Sequence, residues 1–326
     1  MFEPIHRKTA TLPLPSSISR APLRCGFLLI PLALACFALP QTVQGQDGGK
    51  GNFNTAEGQD ALHIYITNAT AAHSDTAIGY DALYFDTTGT QNTATGTLAL
   101  YENTTGNNNT ANGYGALVSN NFGINNTATG AEALSKNTTG NNNTAQGYDA
   151  LLHNNADNNT ATGFEALFNN SSGFQNTATG YGALFQNTVG NDNIVDGAGA
   201  LGVNTTGNNN TTSGFDALAR NTTGSSNIAL GFFAGSNLTT GSNNIDIGAL
   251  GVAGEAAKIR IGKQGTHNGT FIAGISGVSI TGSPVLVNSS GKLGVMSSSA
   301  RFKEAIKPID KASEAILALK PVTFRY

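Results

Sequence analysis

Tryptophan is absent, and charged residues make up only 11 % of the 326-residue chain. Both cysteines, Cys25 and Cys36, fall near the N-terminus. Once that segment is set aside, no disulfide framework and no Cys-based metal site can be built, so stability must come from stacking and association. The histidines His63, His73, His153 and His267 share no metal-like spacing. No Ser-His-Asp set or carboxylate pair stands out, and neither a metal nor a cofactor is expected. The Asn and Gly bias alone would suit disorder, but a strict period running through it argues otherwise.

What is present begins with an export signal. Arg7, Lys8, Arg20 and Arg24 precede an apolar run, Cys25 to Pro40, and Val43-Gln44-Gly45 supplies small residues before Gln46. Residues 1–45 therefore read as a signal peptide; the apolar run holds two prolines and is too short for a good membrane span. Membrane involvement is expected only through export or anchoring. The localisation that follows is secreted or cell-surface, outer-membrane associated.

The central residues, 46–248, are periodic. A marker glycine recurs at Gly79, Gly96, Gly113, Gly130 and Gly147, then at Gly163, Gly180, Gly197, Gly214, Gly231 and Gly248. The step is 17 residues, apart from 21 between Gly58 and Gly79 and 16 between Gly147 and Gly163. The unit reads N-T-A-x-G-x-x-A-L-x-x-N-T-T-G-x-x. It is too short for a helix pair and poor in strong helix formers. Stacked coils with two short strands each are expected, pairing in parallel from coil to coil, in an all-β parallel β-solenoid. In-register Asn can form amide ladders. One thin coil buries little apolar area, so the Ala/Leu or Ala-x-Gly face is expected to be buried against other subunits, with three-fold packing the simplest closed arrangement.

The motif N-T-A-x-G, as in Asn125-Asn126-Thr127-Ala128-Thr129-Gly130 and Asn176-Thr177-Ala178-Thr179-Gly180, resembles the head repeats of trimeric autotransporter adhesins. That resemblance implies a left-handed parallel β-roll and a homotrimer. The family's common unit is shorter, so the connecting loop should differ here.

Beyond the repeats, residues 249–296 carry strand-like pieces at Lys258–Ile261, Thr270–Ile275 and Val285–Val287 and read as a β-rich neck. Residues 297–326 change character again. Asp310 can cap a helix over Lys311–Leu319, and Pro321–Tyr326 reads as a strand, giving a short α+β fragment. Ser298-Ser299-Ala300-Arg301-Phe302-Lys303, with Glu304-Ala305-Ile306 after it, resembles the start of the endosialidase-type intramolecular chaperone peptidases. That family ends phage tail spikes and other trimeric fibres, assists their folding and then cuts itself off. The resemblance implies Ser298 as nucleophile, Lys303 as base and cleavage between Ser297 and Ser298. Ser299 stands where the family often has Asp. The family's long helices are missing, which implies a truncated domain with impaired self-cleavage.

Charge is uneven. Residues 51–248 carry fourteen Asp/Glu against Lys136 and Arg220, a net of −12, whereas residues 249–326 carry +6. An acidic rod disfavours nucleic acid and anionic lipid and suits a glycan or other cell-surface ligand. Acids recur two residues after the marker glycine, at Asp60, Asp81, Glu132, Asp149, Glu165 and Asp216, and read as a solvated face rather than a Ca²⁺ column. The function expected is an exported trimeric fibre of adhesin or tail-spike type. The alternatives are a glycan-degrading spike and a structural spacer without a ligand.

Overall fold

A computed structural model describes residues 53–63, 73–273 and 284–295. These residues are all-β. Thirteen strands of three residues each, β1 (Thr55–Glu57) to β13 (Ile259–Ile261), form one parallel sheet whose spatial order equals chain order. Each residue sits over its counterpart in the next copy, as Thr127 over Thr144 and Ala128 over Ala145. At ~4.8 Å per strand the sheet extends roughly 55–60 Å. The expected parallel β-solenoid of 17-residue coils is present.

The coil Asn126–Asn142 shows how it closes. Thr127–Thr129 is a strand with Ala128 pointing inward and both threonines outward. The opposite side is not the second strand expected from the sequence. Glu132 and Leu134 have φ of +55° and +54°, so the backbone turns left-handed and cannot stay extended. Coil-to-coil hydrogen bonds persist there: Leu134 N–H donates to Ala150 O in the next coil (3.0 Å) and Glu132 N–H to Tyr114 O in the previous one (2.8 Å). A left-handed Leu costs about 1–2 kcal/mol. Its full burial returns about 1.5–3 kcal/mol, so the geometry is sustained by the core it fills.

That geometry corrects the expected subunit seam. The Ala columns and the Leu column, such as Ala128, Ala133 and Leu134, are 0 % exposed within a single chain. They are the interior of each coil, with no face left over for a second copy.

Two buried polar columns complete the interior. In the first, Asn126 Nδ2 donates to Asn109 Oδ1 (3.2 Å) and to Gly140 O (2.8 Å), while Asn143 N–H donates to Asn126 Oδ1 (3.0 Å). In the second, Asn137 Nδ2 donates to Asn120 Oδ1 (2.8 Å) and to the same Gly140 O (3.0 Å). Both ladders thus meet on the carbonyl of the second glycine of the unit. The expected amide ladders exist, and they lie inside the coil rather than on a face open to ligands.

The 16-residue coil absorbs its deletion between the second ladder and that glycine position, where Ala156 stands. Asn154 Nδ2 reaches Ala156 O two residues on (2.8 Å), and its contact to Asn137 Oδ1 stretches to 3.4 Å. The core columns pass through undisturbed, with Ala161 still paired to Ala145.

At the C-terminal end, Ile259–Ile261, read from sequence as part of the neck, pairs in parallel with β12 (Ile245–Ile247) and extends the same sheet. Residues 270–273 form no strand. β14 (Val285–Val287) and β15 (Leu293–Val295) form an antiparallel hairpin.

Asp246 of β12 occupies the inward position that Ala229 holds one coil earlier. It is 1 % exposed, and neither carboxylate oxygen has a hydrogen bond. Burial pushes its carboxyl up from 3.8 to about 6; Glu255 adds to the rise and Arg260 offsets part of it. A raised folded-state value means that the fold carries no penalty below the unfolded value. Stability is therefore expected to fall as pH rises from about 4 to about 6 and to stay lower above it. Asp246→Asn should flatten that dependence and stabilise the C-terminal coils at pH 7 by about 1–2 kcal/mol, measured by denaturant melts across pH.

Candidate functional site

The acidic column has a backbone cause. The position two residues after the marker glycine has φ near +55°: Asp81 (+55°), Glu132 (+55°), Asp149 (+54°), Glu165 (+53°), Gly182 (+57°) and Asp216 (+50°). Asp and Gly suit that conformation better than most residues. Stacking brings the carboxylates together. Burial pushes the Asp149 carboxyl up, and the Glu132 and Glu165 carboxylates above and below push it further. Its Oδ1 has no hydrogen-bond partner. No set of three ligands for one ion arises along this column among the described residues.

The aromatic following the marker glycine forms a second outer column. Tyr148, Phe164 and Tyr181 stack with centroids 5.2 and 5.4 Å apart and planes 14° and 11° from parallel; Phe215 and Phe232 stack at 5.6 Å. Phe164 is stacked on both faces, whereas Tyr181 and Phe232 end their stacks and stay 64 % and 70 % exposed. The stacks serve coil-to-coil cohesion, each adding ~0.5–1.5 kcal/mol.

The outer face of the sheet changes along its length. From Thr93–Thr95 to Thr177–Thr179 the outward residues are mostly threonine. Ile194 of β9 (Ile194–Asp196) is an isolated exception, and from β11 (Ile228–Leu230) onward both outward rows turn apolar: Ile228, Leu230 and Ile247 are exposed, and Ile259 and Ile261 reach 70 % and 72 %. The register places Ile228, Ile245 and Ile259 in one row and Leu230, Ile247 and Ile261 in the other. This contiguous oily surface lies at the C-terminal end of the sheet.

The expected catalytic pair, Ser298 and Lys303, lies outside the described residues, as do the signal peptide 1–45, the helix over 311–319 and the strand 321–326. Three of the described histidines have ordinary structural partners. His63 stacks on Tyr84 (4.7 Å), His153 packs edge-on to Phe168 (5.3 Å), and His267 Nδ1 accepts from Lys263 N–H (2.9 Å). The fourth, His73, sits beside two buried aspartates.

No curated protein matches the chain. Residues 298–326 match the family model described as the chaperone of endosialidase, directly C-terminal to the solenoid and its hairpin.

Proposed function

We propose that this chain is an exported homotrimeric fibre of adhesin or tail-spike type, displayed at a cell surface or secreted. Its shaft is the solenoid, and residues 298–326 belong to a chaperone that brings three copies together. The observation that carries this reading is the pairing of a long regular solenoid with a chaperone of endosialidase match at its C-terminal side. The likeness of the N-T-A-x-G unit to autotransporter head repeats supports it. Subunit contact falls on the exposed Ile/Leu rows of β11–β13, because the Ala and Leu columns are already inside each coil. Polar Thr and Asn positions on the remaining outer face are left for a glycan or other surface ligand.

Two measurements test the reading. Light scattering of the exported protein should give three times the mass of one chain. The double variant Ile228→Asp/Ile247→Asp should give monomers with an unchanged β-rich circular dichroism spectrum. A monomeric wild-type protein removes the trimer. Ser298 acts as the nucleophile of self-cleavage and Lys303 as its base. On a denaturing gel of protein from the intact gene, Ser298→Ala and Lys303→Met should each abolish the shortened product. Unchanged processing in Ser298→Ala would rule out that assignment.

A further inference from the structure

Both asparagine ladders change chemistry at the same place. Asp75 stands where the first ladder has Asn92, Asn109 and Asn126, and Asp86 stands where the second has Asn103, Asn120 and Asn137. Their acceptor roles survive: Asp75 Oδ1 accepts from Asn92 N–H (2.7 Å), and Asp86 Oδ1 accepts from Asn103 Nδ2 (2.9 Å). The ladder also continues upstream, because Asp75 N–H donates to Asn54 Oδ1 (2.8 Å). What is lost is the amide donor. In other coils the first-ladder Nδ2 caps the carbonyl of the second glycine. Here that carbonyl, Gly89 O, lies 2.7 Å from His73 Nδ1 instead.

The substitution places two carboxyl groups in the interior. Asp75 is 0 % and Asp86 7 % exposed. Asp75 Oδ2 makes no hydrogen bond and faces His73 Nδ1 at 3.8 Å. One ring nitrogen of His73 and one oxygen of each aspartate lie within 4.8 Å of one another. Two carboxyl groups removed from water are neutralised either by a proton or by a cation, and the unpartnered Asp75 Oδ2 aimed at the imidazole leaves a donor for the second.

We infer that His73, Asp75 and Asp86 bind one divalent first-row transition ion, of which zinc fits best. One imidazole nitrogen and two carboxylate oxygens make a three-ligand set that zinc accepts, with a further position for water or a backbone carbonyl. Calcium asks for six to eight oxygen ligands and magnesium for an octahedron of oxygens, and an imidazole serves neither. At Zn–N and Zn–O lengths of ~2.0–2.2 Å, tetrahedral donors sit about 3.4 Å apart, so movements of about an ångström close the site. The ion would tie His73, at the end of the coil with the 21-residue step between Gly58 and Gly79, to the coil that follows it. This inference stands apart from the trimer and from self-cleavage.

The test uses the untagged full chain, stripped with chelator and dialysed against ZnCl₂, with CaCl₂ and MgCl₂ as comparators. Elemental mass spectrometry should find one zinc per chain. At a hundredfold excess over Kd, ZnCl₂ should raise the melting midpoint of the N-terminal coils by about 5 °C, and the other two salts should not. Asp75→Asn restores the amide of the ladder, so it should fold with a metal-free midpoint no lower than wild type while losing zinc. Asp75→Asn/Asp86→Asn should lose it too. A folded wild-type chain that takes up no zinc overturns the inference. So does equal uptake by the double variant, or a response to calcium alone.

Discussion

Gly180→Ala is expected to break the solenoid, whereas Gly182→Asn, two residues away, should leave it intact. Gly180 has φ +130°, a region closed to side chains, and a Cβ there would stand 2.7 Å from Gly197 C and 2.8 Å from its O. Those atoms belong to the backbone of the next coil, so no side chain can rotate aside. Backbone strain of about 1–3 kcal/mol combines with a forced separation of two coils, and the total should exceed about 4 kcal/mol. Gly182 has φ +57°, with nothing within 4 Å of its Cβ. Asn tolerates that conformation, and Glu165 and Asp216 already occupy it in the same column. Gly182→Asn should therefore change stability by no more than about 0.5 kcal/mol. Denaturant melts and limited proteolysis decide the matter. The first variant should gain a cleavage site near residue 180 and melt in two steps, because coils depend on nearest neighbours. Equal stability of the two variants would mean that the coils are not in contact at the marker glycine.

Asn126→Leu should be nearly as damaging despite its similar size. The side chain is 0 % exposed. Its Oδ1 accepts from both Asn143 N–H (3.0 Å) and Asn143 Nδ2 (3.1 Å). Its Nδ2 reaches Asn109 Oδ1 and Gly140 O (2.8 Å). Leucine removes all four contacts and leaves the Asn143 N–H buried without a partner. Each orphaned group costs about 1–3 kcal/mol, and the ladder couples the loss to both neighbours, so about 3–5 kcal/mol is expected. The exposed strand residue Asn112→Leu is the control and should cost less than about 1 kcal/mol. Hydrogen exchange at Asn143 N–H gives the local reading: protection should fall sharply in the first variant and persist in the second.

Much of this architecture was legible in the chain. A 17-residue step marked by Gly, with N-T-A before it and A-L after it, implies stacked coils in register because only identical turns can repeat small side chains at one spacing. Thr-Ala-Thr alternation names the strand and its inward residue. The acidic column was equally visible as a pattern, but its cause was hidden: the left-handed backbone at Glu132 and Asp149 cannot be read from residue type alone. Asp75 and Asp86 each break an Asn column and could have been noticed by aligning copies. That they converge on His73 could not, because 11 residues separate the two aspartates along the chain.

Sequence alone determined the repeat, the parallel pairing and the in-register ladders, since these follow from periodicity and from the turn chemistry of Gly and Asn. Only the tertiary structure decided which way the columns point. Left-handed leucines fold the Ala/Leu side into the coil's own interior, and two rows of Asn are drawn in to bind a shared carbonyl. Direction depends on φ at a few residues per turn, and φ is settled by what the side chain gains when it arrives, which is a property of the closed coil and not of any residue within it.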